Sequence, residues 1–130
     1  MATIVVVDDE SLITDFLSFL LKAEGYIVHV ARDGRSALEL IGEVRPDVVV
    51  TDFMMPAMSG FELAQALRAS PQLAHIPVVL ASAAQGATAK LRAELFAAVL
   101  DKPYAPARLL ALLRELTQGP GTAADETGER

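Results

Sequence analysis

A doubly wound α/β fold, with a parallel sheet covered by helices on both faces, is predicted by two hydrophobic patterns that alternate along the chain. Short, continuous, mostly β-branched apolar runs occupy residues 4–7, 26–31, 47–51, 77–81 and 97–100. Runs of that length and character fit strands shielded from water on both sides. Helical periodicity fills the intervals, and repeated strand–helix alternation leaves a parallel sheet with crossover helices as the simplest topology. The 130 residues, 52% of them hydrophobic, suit one domain that buries a core without cross-links.

Each element has its own justification. The first run, residues 4–7, ends in Asp8-Asp9. Leu12, Ile13, Phe16, Leu17, Leu20 and Leu21 then recur at helical spacing, and Gly25 supplies a stop signal. After the second run, Ala37, Leu38 and Ile41 repeat the helical pattern. The third run ends in Asp52 and a Met-Met-Pro turn, with Leu63, Ala66 and Leu67 marking the next helix. The fourth run ends in Ser82, and residues 87–96 are Ala-rich, helical in propensity and weakly amphipathic. The fifth run leads to Lys102, and Leu109, Leu110, Leu112, Leu113 and Leu116 define the last helix. Residues 117–130, "TQGPGTAADETGER", hold no bulky apolar side chain to offset their ordering entropy. The expected organisation is a folded domain over residues 1–116 and a disordered tail or truncated linker over 117–130.

Composition excludes several functions. With no cysteine, disulfides and thiolate metal sites are ruled out. The N-terminus lacks a basic leader, and no apolar run reaches membrane-spanning length, so a cytoplasmic protein with no membrane partner is expected. A net charge of −6 with eleven scattered Lys and Arg residues argues against nucleic-acid binding through this domain, since phosphate backbones need clustered cations. His29 and His75 have no partner at ligand spacing and read as structural or solvated. Met54, Met55 and Met58 read as loop and interface packing.

In an open parallel sheet the carboxyl ends of the strands share one edge, where ligands bind. Asp8, Asp9, Asp52, Ser82 and Lys102 would converge there. Taken singly, the acids fit helix starts or turns, Ser82 a cap, and Lys102 a solvated ammonium. Together they form a carboxylate cluster that is costly unless a cation neutralises it. An all-oxygen donor set favours Mg²⁺ over zinc. Asp52 can then serve as metal ligand and as nucleophile, forming an aspartyl phosphate, with Lys102 supplying further positive charge and Ser82 a hydrogen bond. No GxxxxGK[ST] sequence is present, so ATP is not expected as the direct donor.

The four motifs "VVVDDE", "VVVTDFMMPAMSGFEL", "VVLAS" and "DKPY", in this order, resemble those of response-regulator receiver domains of two-component signalling. The resemblance spans residues 1 to about 116. It implies a flavodoxin-like five-stranded sheet of order 2-1-3-4-5 and a module that accepts a phosphoryl group from a sensor histidine kinase or phosphotransfer protein, then switches binding to a downstream protein. It further implies that Asp52 is the phosphoacceptor and that Asp8, Asp9, Asp52 and the backbone carbonyl of Met54 hold Mg²⁺. Ser82 and Lys102 would contact the phosphoryl group, a cis peptide would join Lys102 to Pro103, and Pro56 and Gly60 would shape the loop beside the site. Such a module catalyses only its own phosphorylation and dephosphorylation.

Two features depart from that family. Where receivers commonly carry an aromatic residue three positions before the lysine, this chain has Val99. The stretch from Ser82 to Lys102 is slightly short and carries "ELFAAVL" in place of a Gly-Ala-Asp turn. Since Val99 is stiff at χ1 and cannot sweep between surface and interior, signal output is expected to leave through residues 83–96. A Mg²⁺-dependent phosphohydrolase is disfavoured because no second acid closely follows Asp52, and a flavin-type cofactor binder because carboxylates occupy the phosphate position. The sequence names neither the cognate kinase nor the target.

Overall fold

The computed structural model describes the backbone of residues 2–82 and 95–125, with side chains as far as residue 118. Five strands form one parallel sheet: β1 (Thr3–Val7), β2 (Ile27–Ala31), β3 (Val48–Asp52), β4 (Val78–Ser82) and β5 (Ala98–Asp101). Their order is β2-β1-β3-β4-β5, the expected 2-1-3-4-5. Strand bounds fall within one residue of the apolar runs; β1, β3 and β4 are buried almost throughout, as covered strands should be, whereas the edge strands β2 and β5 are partly exposed.

Alternate residues of each strand feed two cores. Val5, Val7, Val49, Val78 and Leu80 pack with Ala37, Ile41, Leu63 and Leu67, which belong to α2 (Gly34–Val44) and α3 (Gly60–Ala69). Ile4, Val6, Val48, Val50 and Val79 pack on the other face with Leu17, Leu21, Leu109 and Leu113, from α1 (Ser11–Ala23) and α4 (Pro106–Asp125). Among the described residues no helix is long and apolar enough to cross a membrane.

Helix ends follow local chemistry. Gly25 adopts φ +96° after α1, while its N–H and that of Tyr26 donate to the carbonyls of Lys22 and Leu21, the paired closure of a Schellman motif. Asp33 caps α2 by accepting from the Ser36 N–H at 2.7 Å. Ser59 caps α3 reciprocally: its hydroxyl accepts from the Glu62 N–H, and Glu62 accepts from the Ser59 N–H.

The helix expected over residues 87–96 lies almost wholly outside the described residues. Within the stretch expected as a disordered tail or truncated linker, the backbone of residues 117–125 continues α4. Apolar periodicity ends at Leu116 because core packing ends there, whereas helical backbone bonding is local and needs no buried face. The Thr117 hydroxyl adds a bond to the Leu113 carbonyl at 2.8 Å across that boundary.

Gly60 is fixed by space, since a Cβ there would collide with the carbonyl oxygen of Asp52. Gly60→Ala is therefore expected to destabilise the domain by about 1–3 kcal/mol, the usual cost of overpacking. Ser59→Ala, which removes only the cap, should cost about 1 kcal/mol. Urea unfolding midpoints measure both, and an unchanged midpoint for Gly60→Ala would refute the packing argument.

Candidate functional site

The parallel topology brings every strand's carboxyl end to one edge. Val7 of β1 is in register with Thr51 of β3, so Asp8 and Asp52 follow on adjacent strands. Asp52 is paired with Ala81 of β4, and Ser82 with Asp101 of β5. The strand that opens as four buried residues thus closes on a carboxylate because its last residue has left the core and reached this edge.

Asp8, Asp9 and Asp52 each place an oxygen within 4.8 Å of the others. Lys102 closes the cluster: its Nζ donates to Asp52 Oδ1 at 2.8 Å and lies 3.8 Å from Asp8 Oδ2. Asp8 is only 4% exposed, and its carboxylate accepts from the Glu10 N–H at 3.0 Å. Burial pushes the Asp8 pKa up, the Glu10 N–H draws it back, and the charge of Asp52 raises it again, leaving it above the usual carboxylate value. Burial draws the Lys102 ammonium down, but the hydrogen bond and charge of Asp52 and the charge of Asp8 outweigh it, so its pKa sits above the ordinary lysine value.

Ser82 is buried at the end of β4, and its carbonyl accepts from the Lys102 N–H at 2.9 Å. That bond ties the β5 end to the β4 end and helps set where Lys102 starts. The peptide between Lys102 and Pro103 is cis, as the resemblance implied. The Met54 side chain is 65% exposed. Among the described residues neither histidine joins a group of potential metal ligands.

Thr51, Ala57 and the Ser59–Glu62 cap escaped the sequence reading, whereas Gly60 did not. Thr51 is buried, and its hydroxyl donates to the Asp52 carbonyl at 2.9 Å, the same oxygen that a side chain at position 60 would strike. The Gly60 N–H donates to the Phe53 carbonyl at 2.9 Å, so the start of α3 is bonded directly to the residue after Asp52. Ala57, between them, adopts φ +70°, a left-handed conformation unfavourable for a residue with a Cβ. The Ser-x-x-Glu spacing at 59–62 was the readable signal for the cap; nothing in the sequence marks Thr51.

Val99 pairs with Leu80 and packs, half-buried, against the α2–α3 core. Buried Phe96 lies near it in the chain and stacks at 5.7 Å on Phe61, which meets Phe53 edge-on at 6.1 Å. Phe53, Phe61 and Phe96 thus form a row that starts beside Asp52 and reaches the entry to β5.

A family model described as "Response regulator receiver domain" matches residues 4–114. Among curated proteins, the response regulator MprA of Mycolicibacterium vanbaalenii is 38% identical over 129 residues, which is 97% of this chain and 54% of that protein. The chain therefore spans about half the length of that relative. Among solved structures, the signal receiver domain of a signal transduction histidine kinase from Syntrophus aciditrophicus superposes with a TM-score of 0.84 at 28% identity, covering 92% of each chain. The chemotaxis response regulator CheY4 of Vibrio cholerae gives 0.81 at 34% identity, covering 89% of this chain and 98% of that one. Motifs, topology, the acidic cluster and these likenesses agree: the chain belongs to the response regulator receiver domain family of two-component signalling.

Proposed function

We propose that Asp52 accepts a phosphoryl group, in a Mg²⁺-dependent reaction, from a sensor histidine kinase or a phosphotransfer protein, and that the modification switches binding to a downstream protein. The observation that carries this reading is the Asp8–Asp9–Asp52 cluster, closed among the described residues by a single ammonium, Lys102. Three carboxylates against one cation leave an excess of negative charge, and an all-oxygen donor set with that excess fits a hard divalent ion. Asp8, Asp9, Asp52 and the Met54 carbonyl would hold Mg²⁺, whose role when bound is to neutralise charge on the transferring phosphoryl group.

The residues of the chain do the rest. An Asp52 carboxylate oxygen attacks phosphorus; the new P–O bond forms as the P–N bond to the donor imidazole breaks, and the imidazole leaves with its electron pair. Lys102, already hydrogen-bonded to Asp52, holds the carboxylate in place and then pairs with a phosphoryl oxygen. Ser82 donates to another. The protein acts only on itself in this scheme, as a cytoplasmic signalling module.

Acetyl phosphate with Mg²⁺ is expected to add one hydroxylamine-labile phosphate, detected by intact-protein mass, and Asp52→Asn should abolish it. Labelling that persists in this variant, or sustained turnover of an added phosphomonoester, would overturn the reading.

The metal and phosphoryl roles separate by mutation. Asp9→Asn is expected to weaken Mg²⁺ binding and slow phosphorylation together. Lys102→Ala should retain Mg²⁺ binding, followed by titration, while blunting the change produced by a beryllofluoride phosphoryl mimic. Unchanged Mg²⁺ titration of Asp9→Asn would return Asp9 to an ordinary helix-start role.

A further inference from the structure

Helix α1 carries two apolar faces. Thr14, Leu17 and Leu21 are the residues it buries. On the opposite side Leu12 is 81% exposed, Phe16 51% and Phe19 76%, with exposed Ala23 one step further along. Positions 12, 16, 19 and 23 are spaced four, three and four, the d-a-d-a pattern of a heptad seam. Single exposed apolar residues are ordinary, but a contiguous stripe containing two phenylalanines marks an interaction surface.

In this heptad frame Asp15 and Lys22 are the charged residues flanking the seam, both at g. Both are exposed, and among the described residues neither has an ion-pair partner. The opposite flank, Ile13 and Leu20 at e, is apolar and partly buried against the core beneath α1 and α4, so the g flank alone offers charge to a partner. The two g charges are opposite in sign, which makes the flank self-complementary under one geometry. When two copies of α1 run antiparallel, g faces g: Phe16 lies beside Phe19 of the other copy, Leu12 beside Ala23, and Asp15 comes within about two residues of axial rise, ~3 Å, of Lys22. The two-fold axis makes that ion pair twice. A parallel arrangement would set g against e, leaving Asp15 against Leu20 without a counter-charge.

We infer that the outward face of α1 is a self-association surface, on which a second copy of this chain docks through an antiparallel α1–α1 contact sealed by two Asp15–Lys22 pairs. Phe16 also lines an apolar groove of about 520 Å³ with Glu10, Lys102, Pro103 and Tyr104. The contact therefore covers one wall of the approach to the acidic cluster.

Sedimentation equilibrium of the full chain, from micromolar to millimolar, tests this. The expected result is a monomer–dimer equilibrium with Kd below about 1 mM. Phe19→Glu, at a position that contributes nothing to the core, should raise Kd about tenfold or more while leaving the melting temperature unchanged. Asp15→Lys and Lys22→Asp should each weaken the dimer, and the double variant should restore it, a pattern that requires the two positions to meet. A chain monomeric at 1 mM overturns the inference, as does a dimer indifferent to Phe19→Glu. Restoration that fails in the double variant overturns the antiparallel geometry. A monomeric chain whose binding to a phosphodonor protein is lost in Phe19→Glu would assign the stripe to that partner and likewise overturn self-association.

Discussion

Three carboxylates held within a few ångströms of one another repel, and the contact between Lys102 and Asp52 makes that arrangement tolerable. At 2.8 Å to Asp52 and 3.8 Å to Asp8, one ammonium is shared between two acids, one of them buried. Charges this close in partly desolvated surroundings interact by several times what the same pair would in bulk water. Removing one partner from such a set costs more than forming it returns, because the remaining charge is left uncompensated. The Asp8 pKa is raised chiefly by burial, with the Asp52 charge adding to it and Lys102 opposing it, whereas burial lowers that of Lys102 and the hydrogen bond and charge of Asp52 raise it. Three carboxylates against one ammonium leave residual negative charge among the described residues of the site.

Holding that cluster depends on backbone as much as on side chains. The Asp52 carbonyl takes the Thr51 hydroxyl, and the adjacent Phe53 carbonyl takes the Gly60 N–H. The first bond is local to the strand end and the second ties it to the start of α3, which the Ser59–Glu62 box stabilises in turn. On the far side of the sheet's core, the Arg68 guanidinium donates to the carbonyls of Ala74, Ile76 and Leu95. One α3 side chain thereby fixes both the entry to β4 and the residue from which β5 is approached. Helix α3 is thus bonded at its start to the residue after Asp52, and near its end to the chain leading into β5.

Phe53, Phe61 and Phe96 form a row of ring contacts. The row links the loop after Asp52 to the residues that precede β5. Val99, paired with Leu80 and stiff at χ1, sits beside this row as packing.

The alternation of β-branched runs with helical periodicity determined the fold class, the strand bounds to within a residue and the edge where polar residues converge, because burial on both faces leaves a strand no other composition. Gly25 announced the end of α1 for a similarly local reason, since its backbone lies where other residues are strained. The sequence also supplied the candidate set Asp8, Asp9, Asp52, Ser82 and Lys102, but not the distances within it. Those depend on register between strands far apart in the chain, such as Asp52 opposite Ala81 and Ser82 opposite Asp101. Tertiary structure alone decided that Gly60 must lack a side chain and that Thr51 secures the Asp52 carbonyl. It also set which way α1 turns. Leu12, Phe16, Leu17 and Leu21 share one helical pattern in the sequence, yet the sheet takes Leu17 and Leu21 and leaves Leu12 and Phe16 in water. Periodicity shows that a helix has an apolar face, but a helix apolar on two faces can be oriented only by the surface it packs against.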